Sequence, residues 1–131
     1  MSINRWVLML GLSAGLLPTG GHAAVTDDMF LVRTTGDLVA LCSAAPTDPL
    51  HLPAINFCHG FGVGVFRVLQ EEGLARPMQR LFCIPNPQPT RNQVFAAFTQ
   101  WAQANPNQLS QSPQDGIARF LSMQFPCRAG Q

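Results

Sequence analysis

The stretch PAINFCHGFGVGVFRVLQEEG, residues 53–73, decides the fold. Pro53 suits the first position of a helix, where its missing N–H costs nothing. Behind it Ile55, Cys58, Phe61, Val65, Phe66 and Leu69 recur at spacings of 3 and 4, the mark of one buried helical face. Gly73 is the natural stop. Inside this helix Gly60, Gly62 and Gly64 each cost about 1 kcal/mol relative to Ala, so three together imply a close approach by a neighbour. Gly60 and Gly64 lie one turn apart and are expected to form that packing surface. A phosphate-binding glycine loop is the competing idea, but it needs a preceding strand, and HGFGVGVF lies within a helical pattern.

Working outward, Thr35 precedes GDLVALC, a short first helix with Asp37 in its first turn, where the helix dipole favours an acid. Ser43 to Leu52 reads as a loop holding Pro46, Asp48, Pro49 and His51. After Gly73 a short helical turn fits Pro77 to Phe82, and Cys83-Ile84-Pro85-Asn86-Pro87-Gln88-Pro89 is forced to be extended by its three prolines. Thr90-Arg91-Asn92-Gln93 is a capping box, and Val94, Phe98 and Trp101 mark the inner face of a third helix. Asn105-Pro106-Asn107 ends that helix. Ser112-Pro113-Gln114-Asp115 opens a fourth, with Ile117, Phe120 and Leu121 facing inward. No β-branched run of period 2 occurs, so the expected architecture is an all-α bundle of about four helices.

The first 23 residues, MSINRWVLMLGLSAGLLPTGGHA, read differently: one early charge at Arg5, an apolar run from Trp6 to Leu17, a break at Pro18, and small residues near Ala23. This is the pattern of a secretory signal peptide, the run being too short for a membrane span of roughly 20 residues. The expected organisation is therefore a leader, 1–23, and one domain, 24–131. No cysteine near the cut offers a site for a lipid anchor, so the exported product is expected to be soluble.

Charge excludes some partners. All eight basic residues of the 131 are arginines and the formal net charge is +1, so no lysine-rich strip exists to neutralise a phosphate backbone. Nucleic acid is not expected as a partner. The domain after the leader carries seven arginines against seven acids, and any charge recognition must be local.

Cys42, Cys58, Cys83 and Cys127 are an even set in a short exported chain, which implies two disulfides. Zinc needs paired ligands a few residues apart and haem needs CxxCH; neither spacing is present, so no metal or other cofactor is expected. If the helices alternate in direction, all four cysteines gather at one pole, and any of three pairings can form. Catalysis finds little support. Cys58 and His59 are adjacent and point about 100° apart on a helix, Glu71-Glu72 reads as a solvated face, and His51 lies in a proline-bordered loop. A non-enzyme is expected.

Taken together, LVALC, INFCHGFGVGV, LFCIP, PTRNQVFAAFTQWAQANP and FLSMQFPC resemble the Rap/Tai family of type VI amidase immunity proteins, over about residues 34 to 127. By that resemblance Cys42, Cys58, Cys83 and Cys127 match the family's cysteines. Gly60, Gly64, Pro85, Pro106 and Pro126 match its helix-packing and helix-ending positions. Phe61 stands where Tyr is common, and the PNPQP run departs from the pattern. The resemblance implies a periplasmic, non-catalytic protein that binds a peptidoglycan amidase delivered by type VI secretion and occludes its cleft, in a family where homodimers are common. An inhibitor must present a shape that the faces of a bundle lack, so loops are the expected plug, with Pro85, Asn86 and Pro87 in Ile84–Thr90, and Asn107 and Gln108 in Asn105–Gln111, as candidates. A more distant similarity to HdeA-type acid chaperones implies the pairing Cys42–Cys83 and Cys58–Cys127. An acid chaperone, or an envelope domain of the same fold without a cognate amidase, is the alternative function.

Overall fold

The computed structural model describes residues 23–128, so the expected leader falls almost wholly outside the described residues. Four helices make the bundle: α1 (Thr35–Cys42), α2 (His51–Ala75), α3 (Arg91–Ala104) and α4 (Pro113–Gln124). Short 3-10 turns cover Asp27–Leu31, Pro77–Gln79 and Pro106–Gln108, and no strand occurs among the described residues. The all-α reading holds.

Local signals place the helix starts. Thr34 caps α1: its hydroxyl accepts the Asp37 amide at 3.1 Å while the Asp37 carboxylate accepts the Thr34 amide at 2.9 Å. The cap thus falls one residue before the expected Thr35, which becomes the first helical residue. Thr90 and Gln93 form the reciprocal box expected for α3. Ser112 caps α4 by accepting the Asp115 amide, with Pro113 at the first position. Only α2 begins without a side-chain cap; it starts two residues before Pro53.

The short helix is the centre. Thr35, Leu38, Val39 and Leu41 of α1 are buried, and α1 packs against α2, α3 and α4. Its sequence TGDLVALC is apolar nearly all round, which is what a helix enclosed by neighbours requires. Phe98 and Ala102 of α3 and Ile117, Phe120 and Leu121 of α4 complete the core with Phe82, and Phe120 meets Phe98 edge-on at 5.5 Å between ring centres.

By contrast, α2 buries mainly small residues: Ala54, Cys58, Gly62 and Gly73. Here the expected glycine pair is corrected. A Cβ at Gly60 or Gly64 meets nothing within 4 Å, whereas one at Gly62 falls 2.6 Å from the Phe95 ring. The reason is rotation: at about 100° per residue, Gly62 stands roughly 40° from the inward-facing Cys58, and Gly60 and Gly64 roughly 200° and 240° away. The inner stripe of α2 is Ala54, Cys58, Gly62. Leu52, Val68 and Leu74 stay exposed on the same helix, which is the one described helix long and apolar enough to cross a membrane.

Both disulfides form, but their pairing corrects the one implied by the acid chaperones. Cys42 joins Cys58 and Cys83 joins Cys127. Consecutive helices α1 and α2 are linked by a short loop, which brings the last residue of α1 within 5.2 Å, Cα to Cα, of Cys58. Farther along, the Cys83 amide donates to the Phe125 carbonyl at 2.8 Å, so the segment leaving α2 runs beside the exit of α4 and meets Cys127. The two bridges therefore secure separate parts of the fold.

Candidate functional site

The two candidate loops flank α3, one at each end. With 14 residues, α3 holds them about 20 Å apart along its axis, and the structure does not bring them together. A single cleft narrower than that receives one of them.

Asn105–Gln111 is tied down. The carbonyls of Leu109 and Gln111 accept the amides of Gly36 and Thr35, both at 2.8 Å, so this loop supplies partners to the open N-terminus of buried α1. The Gln108 amide donates to the Asn105 carbonyl at 2.8 Å, and the Asn105 side chain donates to the Trp101 carbonyl at 2.7 Å. Asn107 is exposed and Gln108 half-buried.

Ile84–Thr90 stands out from the surface instead. Pro85, Asn86, Pro87 and Gln88 are all exposed. The Cys83–Cys127 bridge fixes one end of this segment and the Thr90–Gln93 capping box fixes the other. Three prolines restrict its backbone between those anchors. An exposed segment held at both ends loses little entropy when a partner closes over it.

The remaining residues weighed for chemistry have structural surroundings. Cys58 is consumed in its disulfide and fully buried. His59 stacks on the Phe95 ring at 4.5 Å and 22°. Burial, and then the nearby Arg91 guanidinium, hold its imidazole below the usual histidine value. The Nδ1–H of His51 donates to the Ala44 carbonyl at 2.9 Å, bracing the loop before α2. In that loop the Asp48 carboxylate accepts the Val25 and Leu50 amides, each at 2.8 Å. These two bonds hold its carboxyl below the ordinary carboxylate value and pin the segment that leads into the domain. Glu71 and Glu72 are exposed. Among the described residues no group of three His, Cys, Asp or Glu side chains is placed to hold a metal.

Sequence reading missed a cavity of about 260 Å³ between α2, α3, α4 and the proline-rich segment, bordered by Gly62, Phe66, Ile84, Pro89, Val94 and Phe95. The residues that open it come from four separate parts of the chain, and the one local signal was Gly62 on the inner stripe of α2.

No curated protein and no solved structure matches this chain. The model of the family described as Rap1a immunity proteins matches residues 34–127, a span that begins at the α1 cap and ends at Cys127. With well over half of its length matched from the first helix cap to the last disulfide, the chain belongs to the Rap1a immunity protein family.

Proposed function

We propose that the protein is a periplasmic immunity factor which binds a peptidoglycan amidase toxin of a type VI secretion system and occludes its catalytic cleft. Membership of an immunity family carries this reading, since such proteins act against a secreted toxin by binding it. Two disulfides fit an oxidising compartment, and the signal-like first 23 residues fit export to it. The protein acts without turnover. Binding alone is sufficient for inhibition when a rigid segment enters the cleft and excludes substrate.

Of the two loops, Pro85-Asn86-Pro87 is the better plug, because its exposed side chains are uncommitted and its ends are fixed. Asn107 and Gln108 sit on a loop whose carbonyls already serve α1. They are assigned a peripheral contact, or a contact between copies if the protein dimerises.

The test is capture. Oxidised protein spanning residues 24–131, immobilised and exposed to periplasmic and secreted proteins of its own organism, is expected to retain one peptidoglycan amidase at equal stoichiometry. Retention of a single toxin of another chemistry would refute the amidase assignment, and retention of nothing would refute the immunity role.

A further inference from the structure

The cavity between α2, α3 and α4 has two unlike parts. Its floor is Phe98, Ile117, Phe120 and Leu121, none more than 6% exposed. Arg67 and Arg91 line it as well, and because both are exposed they stand at its mouth. No carboxylate lines the cavity. Neither guanidinium group has a hydrogen bond or ion pair among the described residues, and the titratable neighbour that Arg91 acts on is His59. Two cationic groups on the rim of an apolar hollow are matched by a ligand that carries one anionic group on an apolar body.

We infer that this cavity binds a small amphiphilic monocarboxylate, with its chain or ring against Phe98 and Phe120 and its carboxylate at the Arg67 and Arg91 rim. Size supports a small molecule. An apolar cavity of about 150 Å³ accepts benzene, so 260 Å³ holds a ring with a short tail or a medium-length alkyl chain. A protein partner needs roughly 800 Å² of surface on each side, far more than this hollow offers. Guanidinium groups favour a carboxylate because their paired N–H donors match its two oxygens. The inference stands independently of the amidase reading.

Trp101 reports on the site. It lies 6.3 Å from the Phe98 ring and 5.8 Å from the Phe120 ring, and it is the sole tryptophan after residue 23. Octanoate titrated into oxidised protein of residues 24–131 at neutral pH, read by Trp101 fluorescence and by backbone amide NMR shifts, is the direct experiment. Saturable binding is expected, with shifts centred on Gly62, Phe95, Phe98 and Phe120. Octylamine, of equal chain length and opposite charge, is expected to bind at least about tenfold more weakly, and Arg67→Gln and Arg91→Gln to weaken octanoate by about three- to tenfold each. Both substitutions are at exposed positions, and circular dichroism verifies that the variants fold. Absence of saturable shifts up to roughly 5 mM octanoate, a range that reaches past millimolar affinity, would overturn the inference. So would equal binding of octylamine, or an Arg67→Gln/Arg91→Gln double variant that binds octanoate as tightly as the parent.

Discussion

Thr35 and Gly116 occupy each other's space across the α1–α4 contact: the Thr35 hydroxyl donates to the Ser112 carbonyl at 2.9 Å, and Gly116, one turn into α4, leaves room for the threonine side chain. Thr35 is fully buried, and a second contact at 3.2 Å to the Gln111 carbonyl holds its rotamer. A Cβ at Gly116 would overlap the hydroxyl and fall 2.8 Å from Thr35 Cγ2.

Gly116→Ala is therefore expected to destabilise the protein. Overpacking costs about 1 to 3 kcal/mol, against about 1 kcal/mol gained in helix propensity. Thr35→Ala loses two hydrogen-bonding contacts but clears the space, so the double variant is predicted to be more stable than the sum of the single changes. Denaturant unfolding of all four proteins measures the coupling.

The clustered glycines of α2, Gly60, Gly62 and Gly64, are predicted to respond with opposite signs. Gly60→Ala and Gly64→Ala, both open to solvent, are expected to raise stability by about 1 kcal/mol each. Gly62→Ala must displace the Phe95 ring and is expected to disturb its stack on His59 as well. Thermal unfolding gives the order, and the Phe95 ring shifts in NMR give the cause.

The disulfides are predicted to open in sequence. Cys127 is exposed, whereas Cys58 is fully buried, so limited reductant should cleave Cys83–Cys127 first. Their sequence separations, 44 and 16 residues, give losses of roughly 4 and 3 kcal/mol in the chain-entropy account. Replacing Cys58 adds the cost of disturbing the core. Mass spectrometry after alkylation at graded dithiothreitol concentrations reads the order.

Acid is expected to weaken the fold in two windows. His59 is held below 6.5 by burial and by Arg91, so the unfolded chain takes up a proton near 6.5 that the folded protein refuses. Stability then falls as pH drops below 6.5 and levels off once the folded imidazole is protonated. Asp48 titrates below 3.8 in the fold, and its contribution is present above 3.8 and lost as pH falls through its folded value. An NMR titration should show the His59 midpoint rising in Arg91→Gln. Loss of hydrogen-exchange protection at the Val25 amide should accompany Asp48→Ala.

Helix order and the caps at Thr90 and Ser112 were legible because each is written in a few neighbouring residues. The segment expected to be extended through its three prolines instead bends at Asn86-Pro87, which are joined by a cis peptide bond. The expected Gly60–Gly64 packing failed although the information was present: with Cys58 turned inward by its disulfide, the helical angle selects Gly62. Disulfide pairing was not legible, because it depends on the approach of Cys83 to the end of α4, which the Phe125 carbonyl fixes and no local motif announces. The central place of α1 was readable in principle from the apolar run Leu38–Cys42 that follows its capping turn. The cavity was not, since Phe66, Val94 and Phe120 border it from three helices far apart in the chain.

The most direct test of the account is titration of the captured amidase, acting on peptidoglycan, with wild-type protein and with Asn86→Arg and Asn107→Arg variants. The account predicts complete loss of amidase activity at one equivalent of wild-type protein, inhibition weakened at least about tenfold by Asn86→Arg, and little change with Asn107→Arg. An amidase that continues to cut peptidoglycan when saturated with the wild-type protein would contradict it.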